Sequence, residues 1–184
     1  YKCFLPIKNV ESIKILINRI KSKKYSLNIL TSNHPSDDFL IKKIKDINCK
    51  IYRGDLENVY KRFSNFSKKL NDDDIVVRVT GDNIFVDHNL INEVVNYFKK
   101  NNYNYACIDR KKSKLPYGIS VEVFNLRTFR KWNAISNYEK EHVTPRILKF
   151  EKNIGFFHKK NLKNFYNLSC TMDTIFDYHK IKIC

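Results

Sequence analysis

The sequence is poor in the residues that punctuate a chain and in the patterns that hold soft metals. Only four glycines and four prolines occur in 184 residues, and the glycines are scattered singly. That excludes collagen-like repeats, Gly-rich linkers and a glycine-rich phosphate loop within these residues. The five cysteines (Cys3, Cys49, Cys107, Cys170, Cys184) are odd in number and form no C-x-x-C pair, and the five histidines show no H-x-x-x-H spacing. A disulfide framework, a zinc site and a histidine-built metal centre are therefore not expected, and the thiols read as reduced. No stretch reaches the roughly 18 unbroken apolar residues of a membrane helix, and the opening Y-K-C-F-L-P lacks the apolar core of a secretory signal. The expectation is a soluble, cytoplasmic protein with no membrane partner.

What is present suits a folded domain. Apolar residues make up 42%, aromatic residues 14% and charged residues 29% of the chain, enough to bury a core, and the length fits one domain spanning 1–184. The net charge is +16, from 35 basic and 19 acidic residues. Such an excess suits an anionic partner such as nucleic acid or a polyphosphate. A plainer cause competes: 27 Lys against 8 Arg, with only 2 Ala, is the pattern that AT-rich coding leaves on a solvated surface. There is no RNP-like strand and no finger spacing, and Lys is spread through every helix. Nucleic acid is accordingly not the expected partner.

Helical and extended patterns alternate without a long linker, which is the α/β signature. A first helix is predicted near Val10 to Lys23, with Val10, Ile13, Leu16, Ile17 and Ile20 on one face. A strand at Leu27 to Ser32 leads through N-H-P-S-D-D to a second helix burying Phe39, Leu40, Ile44 and Ile47. Strand Lys50 to Arg53 and helix Leu56 to Leu70 follow, the latter with Val59, Phe63 and Phe66 inward. The β-branched run from Asp74 to Thr80 predicts a central strand covered on both faces. Asp87 is placed to cap a helix over Asn89 to Lys100. Beyond it come a strand at Asn104 to Ile108, a basic loop at Arg110 to Leu115 and an extended piece at Ile119 to Phe124. Helical segments around Leu126 to Ile135 and Glu139 to Phe150, a strand at Ile154 to Phe157 and a helix at Thr174 to Ile181 close the chain.

Two segments stand out chemically. R-V-T-G-D-N, Arg78 to Asn83, lies at the carboxyl end of the predicted central strand, where open α/β sheets hold their ligands. Gly81 would let a ligand approach the backbone, and Asp82 is either a turn residue or a Mg²⁺ ligand. T-M-D-T, Thr171 to Thr174, offers Asp173 just before the last helix, as an N-cap or as a second carboxylate. Two carboxylates from separate loops can fix one Mg²⁺ while leaving positions for substrate phosphates. The acidic triplet Asp72-Asp73-Asp74 precedes its strand, the wrong end for the D-x-D metal motif of a glycosyltransferase.

The order of segments resembles that of the cytidylyltransferases that make CMP-activated acidic sugars, most closely the subfamily typed by spore coat polysaccharide biosynthesis protein F. Acylneuraminate and KDO cytidylyltransferases are more distant relatives. K-C-F-L-P-I is similar to the end of an opening signature in which R-L-P-G-K runs into L-x-P-I. T-S-N-H-P-S-D-D matches the turn after the second strand, and R-G-D-L-E-N-V-Y-K-R-F resembles R-G-x-x-x-D-V-L-x-R-Y. R-V-T-G-D-N-I-F-V-D resembles R-I-T-G-D-x-P-L-I-D. P-Y-G-I-S-V-E-V-F, E-K-E-H-V-T-P and T-M-D-T-I-F-D-Y resemble P-x-G-x-D-V-E-V-F, E-R-E-H-V-T-P and T-x-D-T-P-E-D-F.

The resemblance implies a Rossmann-like, three-layer α/β/α nucleotide-diphosphosugar transferase fold with a mostly parallel sheet, whose first strand and most of whose phosphate loop are missing from the sequence as given. It implies CTP and an acidic sugar as substrates, Mg²⁺ as cofactor and a homodimer as the candidate assembly. Asp82 and Asp173 would be the metal pair; Lys2, Arg62, Gly81 and Asp82 would face the nucleotide; Asp82, Arg78 and Lys2 would carry catalysis. Arg78 would take either a phosphate or a buried pairing role, and Arg62 either a nucleotide contact or a helix ion pair. Glu122, His142 and Thr144 fall in segments expected to wall the sugar pocket, with a structural role for His142 as the alternative. Ser120, Asn58 and Ile84 depart from the family's aspartates and proline, which bears on sugar specificity more than on reaction class. A non-catalytic or truncated family member is the alternative function.

Overall fold

The computed structural model describes residues 2–160 and 163–183, with side chains for all of these but Lys2 and Ile183; Cys184 lies outside them. Helix α1 (Ser12–Ile20) forms on the predicted stripe and buries Ile13, Leu16, Ile17 and Ile20. It starts later than its pattern suggests. Val10 and Glu11 instead form β2 (Val10–Glu11), paired antiparallel with β1 (Pro6–Ile7). Lys8 and Asn9 join the two with positive φ at both positions, the turn geometry that suits a tight hairpin. Val10, expected inside, is 40% exposed as a result.

Strands β3 (Asn28–Ser32) and β4 (Lys50–Gly54) pair in parallel, with Ser32 opposite Gly54, and α2 (Asp38–Ile44) lies between them in the chain. Ile44 is fully buried, but Phe39, expected against the sheet, is exposed beneath the Lys43 ammonium. With only seven residues, α2 has too short an apolar stripe to bury both ends. Helix α3 (Val59–Ser67) is capped by Asn58, whose side chain accepts from the Lys61 amide at 2.8 Å, so the residue that departs from the family's aspartate still caps.

Strands β5 (Ile75–Arg78), β6 (Tyr105–Ile108), β7 (Glu122–Asn125) and β8 (Ile154–Phe157) form one sheet in the order β5–β7–β6–β8. Among the described residues β5 pairs with β7 alone, whereas its β-branched run predicts a strand flanked on both sides. Its Ile75 is accordingly exposed. Helix α4 (His88–Lys100) is capped by Asp87 as predicted, at 2.9 Å from the Leu90 amide, and buries Leu90, Ile91, Val94 and Phe98.

Arg110 to Leu115 contains a helix, α5 (Arg110–Ser113), because Asp109 caps it through the Lys112 amide at 3.0 Å and Lys114 ends it in the left-handed region. After α6 (Leu126–Lys131), the predicted helix Glu139 to Phe150 is two helices, α7 (Asn137–His142) and α8 (Pro145–Phe150). Pro145 has no N–H to continue α7 and is preset to begin α8. Helix α9 (Ile175–Ile183) is last.

The chain divides into two compact units, one of Tyr1–Lys21, Val77–Val123 and Gly155–Cys184, the other of Ser22–Val76 and Phe124–Ile154. The core of the first includes Ile17, Val86, Val94, Tyr105, Val121, Val123 and Met172, each at most 2% exposed. That of the second is aromatic: Phe63 lies 5.3 Å from Phe129 and 6.0 Å from Phe124, ring centre to ring centre. Among the described residues, no helix is long and apolar enough to cross a membrane.

Candidate active site

Asp82 sits in a turn just past β5. The Thr80 hydroxyl donates to its Oδ1 at 2.5 Å, the Asn83 amide donates to the Thr80 carbonyl at 3.1 Å, and Ile84 and Val86, at most 2% exposed, pin the far side. Ile84, standing where the family has proline, is thus an anchor. A Cβ on Gly81 would meet nothing nearer than the Cys3 Sγ at 3.4 Å, an ordinary contact, so packing within the protein does not require glycine there.

Asp173 lies directly before the cap of the last helix, and its backbone bonds the Asp177 carboxylate. Thr174 caps α9: its hydroxyl accepts from the Asp177 amide at 3.2 Å, while the Thr174 amide and hydroxyl donate to Asp177 Oδ2 at 2.9 and 2.8 Å. The Thr174 hydroxyl, with the Thr174 amide, holds the Asp177 carboxyl below the usual carboxylate range. Thr171 and Met172 are buried, and Asp173 emerges exposed between them and the cap.

Arg78 and Glu122 are brought together as an ion pair of 2.6 Å, with side chains 17% and 12% exposed. Tyr105, fully buried, donates its hydroxyl to the other Glu122 oxygen at 2.8 Å. Arg78 thus makes a half-buried pairing with Glu122, the residue expected in the sugar-pocket wall. The Lys2 side chain lies outside the described residues.

Arg62, in the second unit, is half-buried on α3. Its Nη1 donates to the Asp55 carbonyl at 3.2 Å, and its buried Nε has no hydrogen-bond partner. Burial lowers its pKa, opposed by the charges of Asp37 and Asp55. Gly54 matters here, because a Cβ on it would come within 2.9 Å of Arg62 Cγ and 3.3 Å of its Cα. Asp37 accepts from the hydroxyls of Thr31 and Ser32, both at 2.6 Å, and from the Ser32 amide at 2.8 Å. Burial pushes its carboxyl up, but these bonds and Arg62 carry it below the usual range.

His142 and Thr144 flank a feature that sequence reasoning missed. Val143, 1% exposed, has φ +73° and ψ −52°, and the Thr144 amide donates across it to the His142 carbonyl at 2.9 Å. This is the rare γ-turn with positive φ, on a β-branched residue that resists it, at a cost of roughly 1–3 kcal/mol. The only sequence signal was Pro145 two positions on. The His142 ring is exposed and lies 4.4 Å from that of Tyr138, and Thr144 is buried.

Glu139 holds the other end of α7. It accepts from the amides of Ile135 and Ser136 at 2.8 and 2.9 Å and pairs with Arg146 of α8 at 3.4 Å, and those two amides with Arg146 depress its carboxyl to about 2. A carboxyl depressed in the folded chain stabilises it fully above the unfolded value of about 4.5, and that stabilisation is lost as pH falls toward about 2. The protection factors of the α7 amides, exchange rates taken relative to the unstructured chain at the same pH, should therefore fall across that window, and Glu139→Gln should flatten that fall; an α7 equally protected at both ends of the window would contradict the assignment.

The acidic triplet is tied to α6 and its own turn: Asp73 pairs with Arg127 at 2.8 Å, Asp72 with Arg130, and Asp74 accepts from the Asn71 amide at 2.8 Å. A family model described as Cytidylyltransferase matches residues 2–181 of the sequence. The chain belongs to the cytidylyltransferase family. Membership places it among the nucleotidyltransferases. The sequence of this cytidylyltransferase is 32% identical over 173 residues to MJ1063 of Methanocaldococcus jannaschii, an uncharacterised protein, covering 90% of this chain and 69% of that one. It is 26% identical to spore coat polysaccharide biosynthesis protein SpsF of Bacillus subtilis, over 98% of this chain and 78% of the relative. Its fold matches the structure of a cytidylyltransferase from Leptospira borgpetersenii with a TM-score of 0.84 at 22% identity, over 100% of this chain and 79% of the other. The α/β nucleotidyltransferase fold expected from the sequence is thereby established.

Proposed function

We propose that this cytidylyltransferase transfers CMP from CTP to an acidic sugar with release of pyrophosphate, in the synthesis of a surface polysaccharide or glycan. The observation that carries the reading is a carboxylate on each of two separate loops: Asp82 in the turn past β5, and Asp173, exposed just before the Thr174–Asp177 cap. Their hard oxygen donors suit Mg²⁺. Two carboxylates leave positions on such an ion for substrate phosphates and water. Asp82 and Asp173 would hold Mg²⁺, which when bound screens the triphosphate charge that would repel a nucleophile.

The chain's own residues position and neutralise. A sugar hydroxyl attacks the α-phosphorus in line; the new P–O bond forms as the bond to the bridging oxygen breaks, pyrophosphate departs, and the hydroxyl proton passes to solvent. Gly81 leaves its backbone approachable, and the buried Nε of Arg62 is a donor that the protein itself does not satisfy. By resemblance, Lys2 and Arg62 serve the nucleotide, and His142 and Thr144 the sugar. Arg78 and Glu122 support the site as a pair. SpsF, by its name, acts in spore coat polysaccharide biosynthesis, which supports the assignment to polysaccharide synthesis.

Nucleotide selectivity tests the reading before any sugar is known. Calorimetric titration with Mg²⁺ present should detect CTP binding at least about tenfold tighter than ATP, a difference of about 1.4 kcal/mol. Equal affinity for the two would remove the cytidylyl assignment.

A further inference from the structure

We propose that Gly118 is a positioning residue for Asp173, acting through a backbone strap that ties the loop ahead of β7 to the segment ahead of α9. The proposal rests on the metal-holding reading of Asp173 given above. The Tyr117 amide donates to the Leu168 carbonyl at 2.8 Å, the Cys170 amide donates to the Tyr117 carbonyl at 2.6 Å, and Tyr117 and Ser169 form a parallel bridge. Gly118 follows with φ +93°, where an L side chain is strained.

The close approach is set by backbone. A Cβ on Gly118 would lie 2.5 Å from Thr171 Cγ2, 2.7 Å from the Thr171 nitrogen and 2.9 Å from the Cys170 carbonyl carbon. Two of these three atoms belong to the main chain, so no change of rotamer makes room. Any side chain at 118 must push the 170–171 segment away, two to three residues before Asp173.

That displacement has nowhere to dissipate. Thr171 and Met172 are 6% and 1% exposed, and Thr174 is locked to Asp177 by the reciprocal bonds of the cap. Asp173 is thus suspended between the strap on one side and the cap on the other. The loop also reaches the other carboxylate. Four residues after Gly118, Glu122 holds Arg78, which lies four residues ahead of Asp82. One stretch, 117–122, is therefore joined to the segments that carry both carboxylates. Metal sites respond to such supports, whose loss typically costs about 10- to 100-fold in affinity or activity.

The test compares two glycine replacements. Gly118→Ala should raise the Mn²⁺ dissociation constant, read from the free-Mn²⁺ electron paramagnetic resonance signal, by about tenfold or more, and the Mg²⁺ concentration for half-maximal turnover in step. Gly155→Ala is the control: a Cβ there would meet the Tyr103 ring at 2.4 Å and the Tyr97 ring at 2.8 Å, straining the same unit without touching the strap. It should lower the melting temperature and leave both metal readouts at wild-type values. If Gly118→Ala does not fold, Gly118→Asn, which enters positive φ more easily but carries the same Cβ, should show the same metal defect. A folded Gly118 variant with wild-type Mn²⁺ affinity, or an equal metal defect in Gly155→Ala, would overturn the proposal. Asp173→Asn separates the two levels: wild-type Mn²⁺ affinity in that variant overturns the metal reading and this role with it, whereas loss there beside normal affinity in Gly118→Ala overturns this role alone.

Discussion

Asp82→Asn and Asp173→Asn should each lower turnover by a factor of about a hundred or more, equivalent to about 2.7 kcal/mol of transition-state stabilisation, with the fold preserved. Asparagine is the informative replacement at both positions because it keeps shape and removes charge. At 82 its side-chain oxygen still accepts from the Thr80 hydroxyl, so the turn past β5 survives. At 173 the substitution leaves the Thr174–Asp177 bonds of the cap in place. Circular dichroism and melting temperature should stay near wild type, and steady-state turnover should fall. Near-normal turnover of either variant at saturating Mg²⁺ would make that residue a turn or loop carboxylate with no part in the chemistry.

Glu122→Ala should be the most destabilising single change at the site, by about 3 to 5 kcal/mol, because it strands the Arg78 guanidinium at 17% exposure and removes an acceptor of the Tyr105 hydroxyl. Breaking a buried pair costs more than the pair is worth, since the remaining charge is left without compensation. Removing all three polar groups together, as Arg78→Met, Glu122→Leu and Tyr105→Phe, should therefore recover most of the loss. Urea unfolding midpoints at unchanged slope would read both effects. A loss under about 1 kcal/mol for Glu122→Ala would instead fit a solvated pair, leaving Arg78 available to a phosphate.

The parts of the fold that were legible in the sequence are those set by local chemistry. Asp87 caps α4 because its carboxylate reaches an amide three residues on, and the stripe of α1 buries four of the five residues its spacing selects. Where a distant segment or a strained turn decides, the pattern misleads. The β-branched run of β5 reads as central, yet its place in the sheet depends on which strands flank it, and that is not written in the run itself. Val143 is a poor sequence candidate for positive φ, and it adopts it where α7 ends two residues ahead of Pro145. At the site, Asp82 and Asp173 stood out because each follows or precedes an element at a strand or helix end. The strap through Gly118 did not, because its partners at 168–171 are remote in sequence and a lone glycine names neither a φ nor a neighbour.

The central claim is that cytidylyl transfer to an acidic sugar occurs on this chain. Phosphorus NMR of the protein with CTP, Mg²⁺ and a panel of acidic sugars of the nine-carbon and KDO classes tests it most directly, because it observes pyrophosphate and the new CMP ester in one spectrum. The expected result is pyrophosphate appearing in step with a CMP-sugar phosphodiester, for CTP and not for ATP, and absent with Asp82→Asn. Nucleotide binding without pyrophosphate for any sugar of those classes, or pyrophosphate released equally from ATP, would contradict it.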